Sequence, residues 1–334
     1  MHLLVDGNNV AWAGFHALGR AMGADTPERK TRATLLGLAQ TVFGLVVRGG
    51  EPPNGRSGQA SFASNAVEAL VVAFDQGRPL RRRSIYPAYQ TGREGQSSFA
   101  ENEPHVTKAI DQFREAAAFM PVTVLQGTNT EADDLIAAYA LQSEPDAIRI
   151  ASTDRDFLQL VDTRISVYAP VKGIVIDADN FEQHAMPKAK DGDIIRFPRE
   201  RFLDFRALCG DTSDDLPGVP GIGELTAGRL LAFAPLDDLL AKPPLVHEAL
   251  QRGAKRIENL LAQQDSRDII ERNRQLMDLR LGASHFPDLD PCTARGTFDA
   301  DRFRAWLDDQ RMGRIDTDAI VQALHRLAER QPPA

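Results

Sequence analysis

The sequence predicts an α/β fold with a mainly parallel central sheet flanked by helices, and three observations carry that prediction. Short apolar runs alternate with helical patterns through the first part of the chain. Three of those runs, 2–5, 69–74 and 147–152, give way to an aspartate: Asp6, Asp75 and Asp154. After about residue 198 the texture turns helical throughout. Strands alternating with helices build parallel sheets, and such sheets bind ligands beyond the carboxyl ends of their strands.

Taken in order, HLLV (2–5) is a strand ending at Asp6-Gly7-Asn8-Asn9, a turn signal. TRATLLGLAQTVFGLVV (31–47) sets Leu35, Leu38, Val42, Leu45 and Val46 at helical spacing. GGEPPNGRSGQASFASN (49–65) has the composition of a flexible surface loop, and EALVVAF (68–74) that of a buried strand. HVTKAIDQFREAAAFM (105–120) is an amphipathic helix with Pro104 placed for its first turn. VTVL (122–125) and AIRIAS (147–152) are strands, and ISVYAP with GIVIDA (165–178) forms a hairpin. RERFLDFRALCGD (199–211) puts Phe202, Phe205 and Leu208 on one helical face. LPGVPGIGELTAGRLLA (216–232) is a Pro/Gly hairpin running into a helix, and 316–330 is a last helix before a polar tail. No fixed-period repeat is visible.

Apolar residues make up 43% of the 334 and charged ones 26%, an ordinary globular balance with room for a large core. No apolar run approaches a membrane span. The N-terminus lacks a basic, signal-like segment, so a cytoplasmic protein is expected. Cys209 and Cys292 match no metal or redox spacing, and the seven histidines are scattered. A net charge of −8 argues against nucleic acid only if the charges are spread evenly. They are not: Arg81, Arg82 and Arg83 cluster ahead of Arg93, with Tyr86 and Tyr89 between.

The acids cluster as well. EADDLIAAYA (131–140) opens with Glu131, Asp133 and Asp134. Acids in a first helical turn suit the macrodipole, and Thr130 with Asp133 resembles a loose capping box, so this stretch alone stays open between cap and chemistry. Capping does not, however, predict acids closing separate strands. Asp154 and Asp156 point the same way if their strand continues. Glu131 and Asp134 share a helix face, and Asp211 and Asp214 repeat that spacing in CGDTSDD. With Asp6 and Asp75 these are nine carboxylates able to meet at one sheet edge. Two unit charges ~4 Å apart repel by about 4 kcal/mol at an effective dielectric of 20, so such a cluster takes up protons or gathers cations. Oxygen-only ligation selects Mg²⁺ or Mn²⁺, and two such ions are the usual apparatus for phosphodiester hydrolysis. The alternative is that the acids are dispersed caps and turns.

GVPGIG (218–223) opens a helix with two glycine turns, which suits a DNA phosphate and equally suits a tight helical corner. It is no dinucleotide fingerprint, since no strand precedes it, and no P-loop occurs. RPLRRRSIYPAYQTGRE (78–94) directly follows Asp75, so a phosphate-guiding role competes with a solvated basic face; Tyr86, Tyr89 or Phe99 could stack unpaired bases.

In chain order, LLVDGNNVAW, VVAFD, IYPAYQTGR, EADDLIA, ASTDRDFLQLV and FRALCGDTSDDLPGVPGIGELTAGRLL, then RNRQLMDLRL near 280, resemble the 5′ nuclease family. That family comprises bacteriophage flap endonucleases and the 5′–3′ exonuclease domain of bacterial DNA polymerase I. The resemblance implies a PIN-like nuclease core over 1–198 with an arch at about 80–104, a helical DNA-binding region over 199–280, and a helical tail over 281–334 of unassigned role. It implies that Asp6, Asp75, Glu131, Asp133, Asp134, Asp154, Asp156, Asp211 and Asp214 hold two or more Mg²⁺ or Mn²⁺ ions and, with Arg93, carry catalysis. It implies that 218–231 is a helix–three-turn–helix gripping duplex DNA through Gly218, Val219, Gly221, Ile222, Gly223 and Thr226, with a K⁺ ion on its backbone. Arg82, Tyr86, Tyr89 and Arg93 are the expected arch contacts. The expected substrate is DNA with 5′ single-stranded ends or flaps, in a bacterial or phage-infected cell, beside a polymerase acting in trans.

Two family lysines are replaced here, by Gln90 in the arch and by Leu225 in the hairpin, and Asp215 stands where Asn is common. These departures keep a second expectation open: a catalytically weakened DNA-junction-binding protein of the same fold. A toxin-like ribonuclease on a related sheet would lack the helical region at 199–280.

Overall fold

The computed structural model describes residues 1–53, 67–95, 97–250, 252–313 and 315–330, without the side chains of Arg93 and Glu94. Most of the loop expected at 49–65 lies outside the described residues. The chain forms two compact units. The first comprises Met1–Pro79, Ser98–Asp179 and Gly282–Ala334, and the second Leu80–Ser97 and Asn180–Leu281. Gly282–Ala334, within the span expected as a helical tail, group with the sheet-bearing unit.

The strands are β1 (His2–Asp6), β2 (Ala69–Phe74), β3 (Thr123–Gln126), β4 (Ile148–Ala151), β5 (Ile165–Ala169), β6 (Ile174–Ile176), β7 (Gly210–Asp211), β8 (Leu216–Pro217) and β9 (Thr293–Arg295). Seven of them make the sheet of the first unit, in the order β6-β5-β4-β1-β2-β3-β9. β1 to β5 run parallel, and the edges β6 and β9 are antiparallel. The β1 and β2 runs are buried on both faces, as expected of strands covered by helices on each side. β1 pairs with β2 so that Asp6 lies opposite Ala73, and with β4 so that Val5 lies opposite Ala151. That register brings the ends of the three aspartate-closed strands to one edge.

The helix expected at 31–47 starts earlier, at Pro27, because Thr26 accepts the Arg29 N–H and proline suits the first turn. The helix expected at 105–120 runs over Ser97–Ala117, so Pro104 lies inside it rather than in its first turn. The ring is tolerated on an exposed face. One apolar core joins these helices to the C-terminal residues: Phe303 meets Phe43 edge-on with ring centroids 5.3 Å apart, and Leu324 and Leu327 are buried in the same cluster. β9 escapes sequence reading because three residues, Thr-Ala-Arg, carry no periodicity.

In the second unit the helix Phe202–Cys209 buries Phe202, Phe205 and Leu208 as expected. It leads into the β7–β8 ribbon, where Asp211 faces Leu216. Asn273, fully buried on the helix Gln264–Met277, donates to the carbonyls of Ala207 (2.9 Å) and Pro217 (3.1 Å), tying the helix that enters the ribbon and the ribbon's last residue to one helix. No described helix is long and apolar enough to cross a membrane.

Candidate active site

The carboxyl edge of the first sheet is knitted by side chains from the Asp-Gly-Asn-Asn stretch. That stretch is not a free turn. Asp6 Oδ1 accepts the Asn9 N–H at 3.0 Å and so caps the helix Gly7–Ala21. Gly7 follows because a Cβ there would lie 2.9 Å from the Ala73 carbonyl and against the Phe74 ring. Asn8 Oδ1 accepts the Asp75 N–H (3.1 Å), and Asn9 Oδ1 accepts both the N–H and the hydroxyl of Thr153 (2.8 Å each). Ser152, fully buried, donates its hydroxyl to Asp6 Oδ2 at 3.0 Å and accepts the Asp154 N–H at 3.1 Å. Three strand ends are thus fixed to one another through Asn8, Asn9 and Ser152, none of which sequence reasoning singled out. Their one visible signal is polar, short-chained residues directly beside strand-closing aspartates.

Glu131 occupies the N-cap position but makes no side-chain cap bond, so the Thr130/Asp133 capping box does not form. Instead Asp75, from β2, accepts the Ala132 N–H at 2.8 Å and caps the helix Ala132–Gln142 from another segment. Asp133 Oδ1 accepts the Asp134 N–H (2.7 Å), and Asp134 is buried against Gly282. The strand before Asp154 stops at Ala151, so the condition under which Asp154 and Asp156 would point the same way is not met. Asp154 instead caps a 3₁₀ turn, its Oδ1 accepting the Asp156 N–H at 2.8 Å, and Asp156 is buried within that turn.

The electrostatics follow from this crowding. Burial pushes the Asp6 carboxyl up to about 7. Asp75 adds to the rise and Asp133 more weakly, against the opposing hydrogen bonds from Asn9 and Ser152. Asp6, Asp75 and Asp133 therefore share one field at the sheet edge, and Ser152 links Asp154 to it.

Two family descriptions match the chain. Residues 1–186 match the 5′–3′ exonuclease, N-terminal resolvase-like domain, and residues 197–297 the 5′–3′ exonuclease, C-terminal SAM fold. The chain belongs to the 5′–3′ exonuclease family. It is 33% identical over 232 residues to DNA polymerase I of Mycobacterium tuberculosis, covering 69% of this chain and 22% of that protein. It is 31% identical over 232 residues to the thermostable DNA polymerase I of Thermus filiformis, covering 69% of this chain and 23% of that one. The chain thus spans about a quarter of the length of these relatives. The bacteriophage T5 flap endonuclease, solved as a pseudo-enzyme–product complex with DNA and metal ions, has the same fold, with a TM-score of 0.60 at 19% identity over 98% of each chain. So does the T5 5′-exonuclease with bound zinc, with a TM-score of 0.60 at 18% identity over 98% of this chain and 99% of that one.

In the second unit, Asp211 caps the 3₁₀ turn Thr212–Asp214, its Oδ1 accepting the Ser213 N–H (2.7 Å) and hydroxyl (2.6 Å) while Arg206 pairs with Oδ2. Burial alone would raise the Asp211 carboxyl, but the Arg206 charge and these hydrogen bonds outweigh it and hold it below the usual range. Asp214 is buried, and Asp215 adopts the left-handed conformation at φ 56°, which Asn also favours. The Asp215 carboxylate accepts the Gly92 N–H at 2.6 Å.

Several expected DNA contacts need correction. Arg82 is 2% exposed, and its Nε donates to the Leu276 carbonyl at 3.0 Å, so it braces the protein rather than facing a phosphate. Tyr89 is 3% exposed in an apolar cluster with Leu216, Leu276 and Met277, and offers no ring face for a base. Arg272 stacks over Tyr86 at 4.4 Å, and Phe99 stacks on Trp12 at 4.9 Å. Val219 and Ile222 are buried and their N–H groups are satisfied by Leu208 and Val219, so both shape the turn rather than touch a ligand. Gly221 (φ 88°) and Gly223 are exposed, Gly218 and Thr226 partly so. The side chain of Arg93 lies outside the described residues.

Proposed function

We infer that this chain is a structure-specific 5′ nuclease, a 5′–3′ exonuclease and flap endonuclease that hydrolyses DNA phosphodiester bonds with divalent metal ions. One observation carries the reading: Asp6 is buried at a sheet edge beside Asp75 and Asp133, its carboxyl pushed up to about 7 by burial first, then by the Asp75 charge and least by that of Asp133. Side chains are spent on assembling this repulsion (Asn8, Asn9 and Ser152), which is not what dispersed helix caps would need.

The donor set fits a hard cation, being carboxylate oxygen throughout. Asp6, Asp75, Asp133 and Asp154 are the residues that would hold it, with Glu131, Asp134 and Asp156 beside them in sequence. Asp211 and Asp214 offer a further pair in the second unit. Bound there, such ions supply an activated water and charge stabilisation for the leaving oxygen. The protein's own residues do the rest. Asn8 and Ser152 fix the carboxylates, the helix N-termini at Gly7 and Ala132 ease their charge, and the exposed Gly221 and Gly223 let a duplex backbone approach closely. Mg²⁺ or Mn²⁺ as the ions, K⁺ at the hairpin, the segment from 80 to 104 as an arch, Arg93 beside the scissile phosphate and a polymerase acting in trans belong to the same reading.

Incubation with a 5′-flap duplex tests it. Cutting near the junction in Mg²⁺, stopped by chelator and restored by Mn²⁺, is expected. Cleavage indifferent to chelation rejects the metal mechanism, and tight binding without cleavage in either metal selects the junction-binding alternative.

A further inference from the structure

Within the second unit, the segment Tyr89–Gly92 is fastened to the acidic turn at 214–215 by bonds that converge on Gln90. Its backbone N–H donates to the Asp214 carbonyl at 3.0 Å, and its side-chain Nε2 donates to Asp214 Oδ1, also at 3.0 Å. Two residues on, the Gly92 N–H donates to Asp215 Oδ2 at 2.6 Å, and a Cβ at Gly92 would collide with that carboxylate. Gln90 and Asp215 each hold φ 56°, a left-handed backbone that Asp adopts far more readily than Gln. Tyr89 and Leu216, the neighbours of the two turns, are buried in the same apolar cluster. Backbone strain, a glycine and packing all serve to bring one amide to one carboxylate oxygen.

We propose that Gln90 is a positioning residue that fixes the Asp214 carboxylate for a divalent cation while leaving its negative charge intact. The chemistry of the donor decides this. An amide directs a carboxylate by one hydrogen bond and adds no charge. An ammonium at the same place would pair with Asp214 and compete with the cation for it. Gln90 acts through Asp214, and its Nε2 also donates to the Tyr89 hydroxyl at 3.2 Å. The inference rests on Asp214 being a cation-holding group, so its test carries a control for that.

Mn²⁺ binding to the full chain, followed by electron paramagnetic resonance without DNA, is compared for wild type, Gln90→Leu, Gln90→Lys and Asp214→Asn. Outer partners of metal ligands change affinity by roughly 10-fold or more, so Gln90→Leu is expected to bind Mn²⁺ about 10-fold more weakly. Its melting temperature and metal-free flap-DNA affinity should stay near wild type, and its loss should fall on kcat rather than KM. Gln90→Lys should also bind Mn²⁺ more weakly, with activity recovering as metal is raised. Wild-type Mn²⁺ affinity in Gln90→Leu, together with a weakened Asp214→Asn, overturns the role of Gln90. Melting temperature and DNA affinity falling in step with metal affinity overturn it too, in favour of simple structural support. Asp214→Asn binding Mn²⁺ like wild type removes the cation reading of Asp214 itself.

Discussion

Asp6→Asn offers the sharpest test of the charge cluster, because it removes a titration and little else. The amide oxygen of Asn keeps the bond from the Asn9 N–H, and its NH₂ faces the Ser152 hydroxyl, which accepts as readily as it donates. In the metal-free wild type the Asp6 carboxyl titrates at about 7 when folded, against an ordinary 3.8 for an unperturbed aspartate. The folded protein therefore keeps a proton that the unfolded chain gives up, and stability falls as pH rises. The contribution is fully present below about pH 4 and is lost by the time pH passes through 7. At about 1.4 kcal/mol per pKa unit the difference amounts to about 4 kcal/mol. Asn carries no such proton, so the variant should gain on the wild type by up to about 4 kcal/mol between pH 4 and pH 8. Urea unfolding in chelator across that range measures it. Saturating Mn²⁺ at pH 8 should then stabilise the wild type far more than the variant, since the cation replaces the proton. A wild-type-to-variant difference that stays flat with pH would refute the argument.

Other substitutions separate cutting from binding. Asp154→Asn keeps an acceptor for the Asp156 N–H but removes a charge, and should lower single-turnover cleavage by roughly 100-fold with flap-DNA affinity unchanged by gel shift. Gly221→Val places a branched side chain at φ 88° against Arg256 and should weaken duplex binding while leaving single-turnover cleavage at saturating enzyme near wild type. Gly7→Ala drives a methyl toward the Ala73 carbonyl and Phe74 ring, and should cost about 1–3 kcal/mol in urea unfolding, with cleavage falling because Asp6 is the adjacent residue.

What the sequence made legible was the part governed by local pattern. Apolar runs closing on Asp6, Asp75 and Asp154 foretold a parallel sheet and the edge at which its acids gather, because strand burial and turn chemistry are both short-range. The connectors were not legible. Asn8 reaches Asp75 across 67 residues, and Ser152 reaches Asp6 across 146, and no periodicity encodes such pairs. Arg82 and Tyr89 show the opposite failure. Basic and aromatic residues in RPLRRRSIYPAYQTGRE looked like a substrate face, yet composition does not say which side of a six-residue helix is turned inward. Here the helix Leu80–Ile85 turns Arg82 inward. The apolar partners that decide it, Leu276 and Met277, lie far along the chain. β9 was invisible for a third reason: an edge strand of three residues is held by its neighbour β3, not by its own preference.

Asp75 shows why the two readings of the acidic stretch were never true alternatives. It caps the helix Ala132–Gln142 and at the same time raises the Asp6 carboxyl. A helix N-terminus lowers the cost of a nearby anion by only about 0.3–1 kcal/mol at an exposed site, against the roughly 4 kcal/mol implied by the Asp6 shift. Capping is therefore too weak to offset the burial of Asp6, the largest cause of that shift, together with the Asp75 charge, though strong enough to place both carboxylates. The helix ends at Gly7 and Ala132 orient Asp6 and Asp75, and on the proposed reading a small, multiply charged cation would offset what burial and neighbouring charge leave uncompensated better than a monovalent one. On that reading a divalent cation would take the place of the proton that burial and the Asp75 charge hold on Asp6, and the hydrogen bonds from Asn8, Asn9 and Ser152 keep the strand ends in register for it.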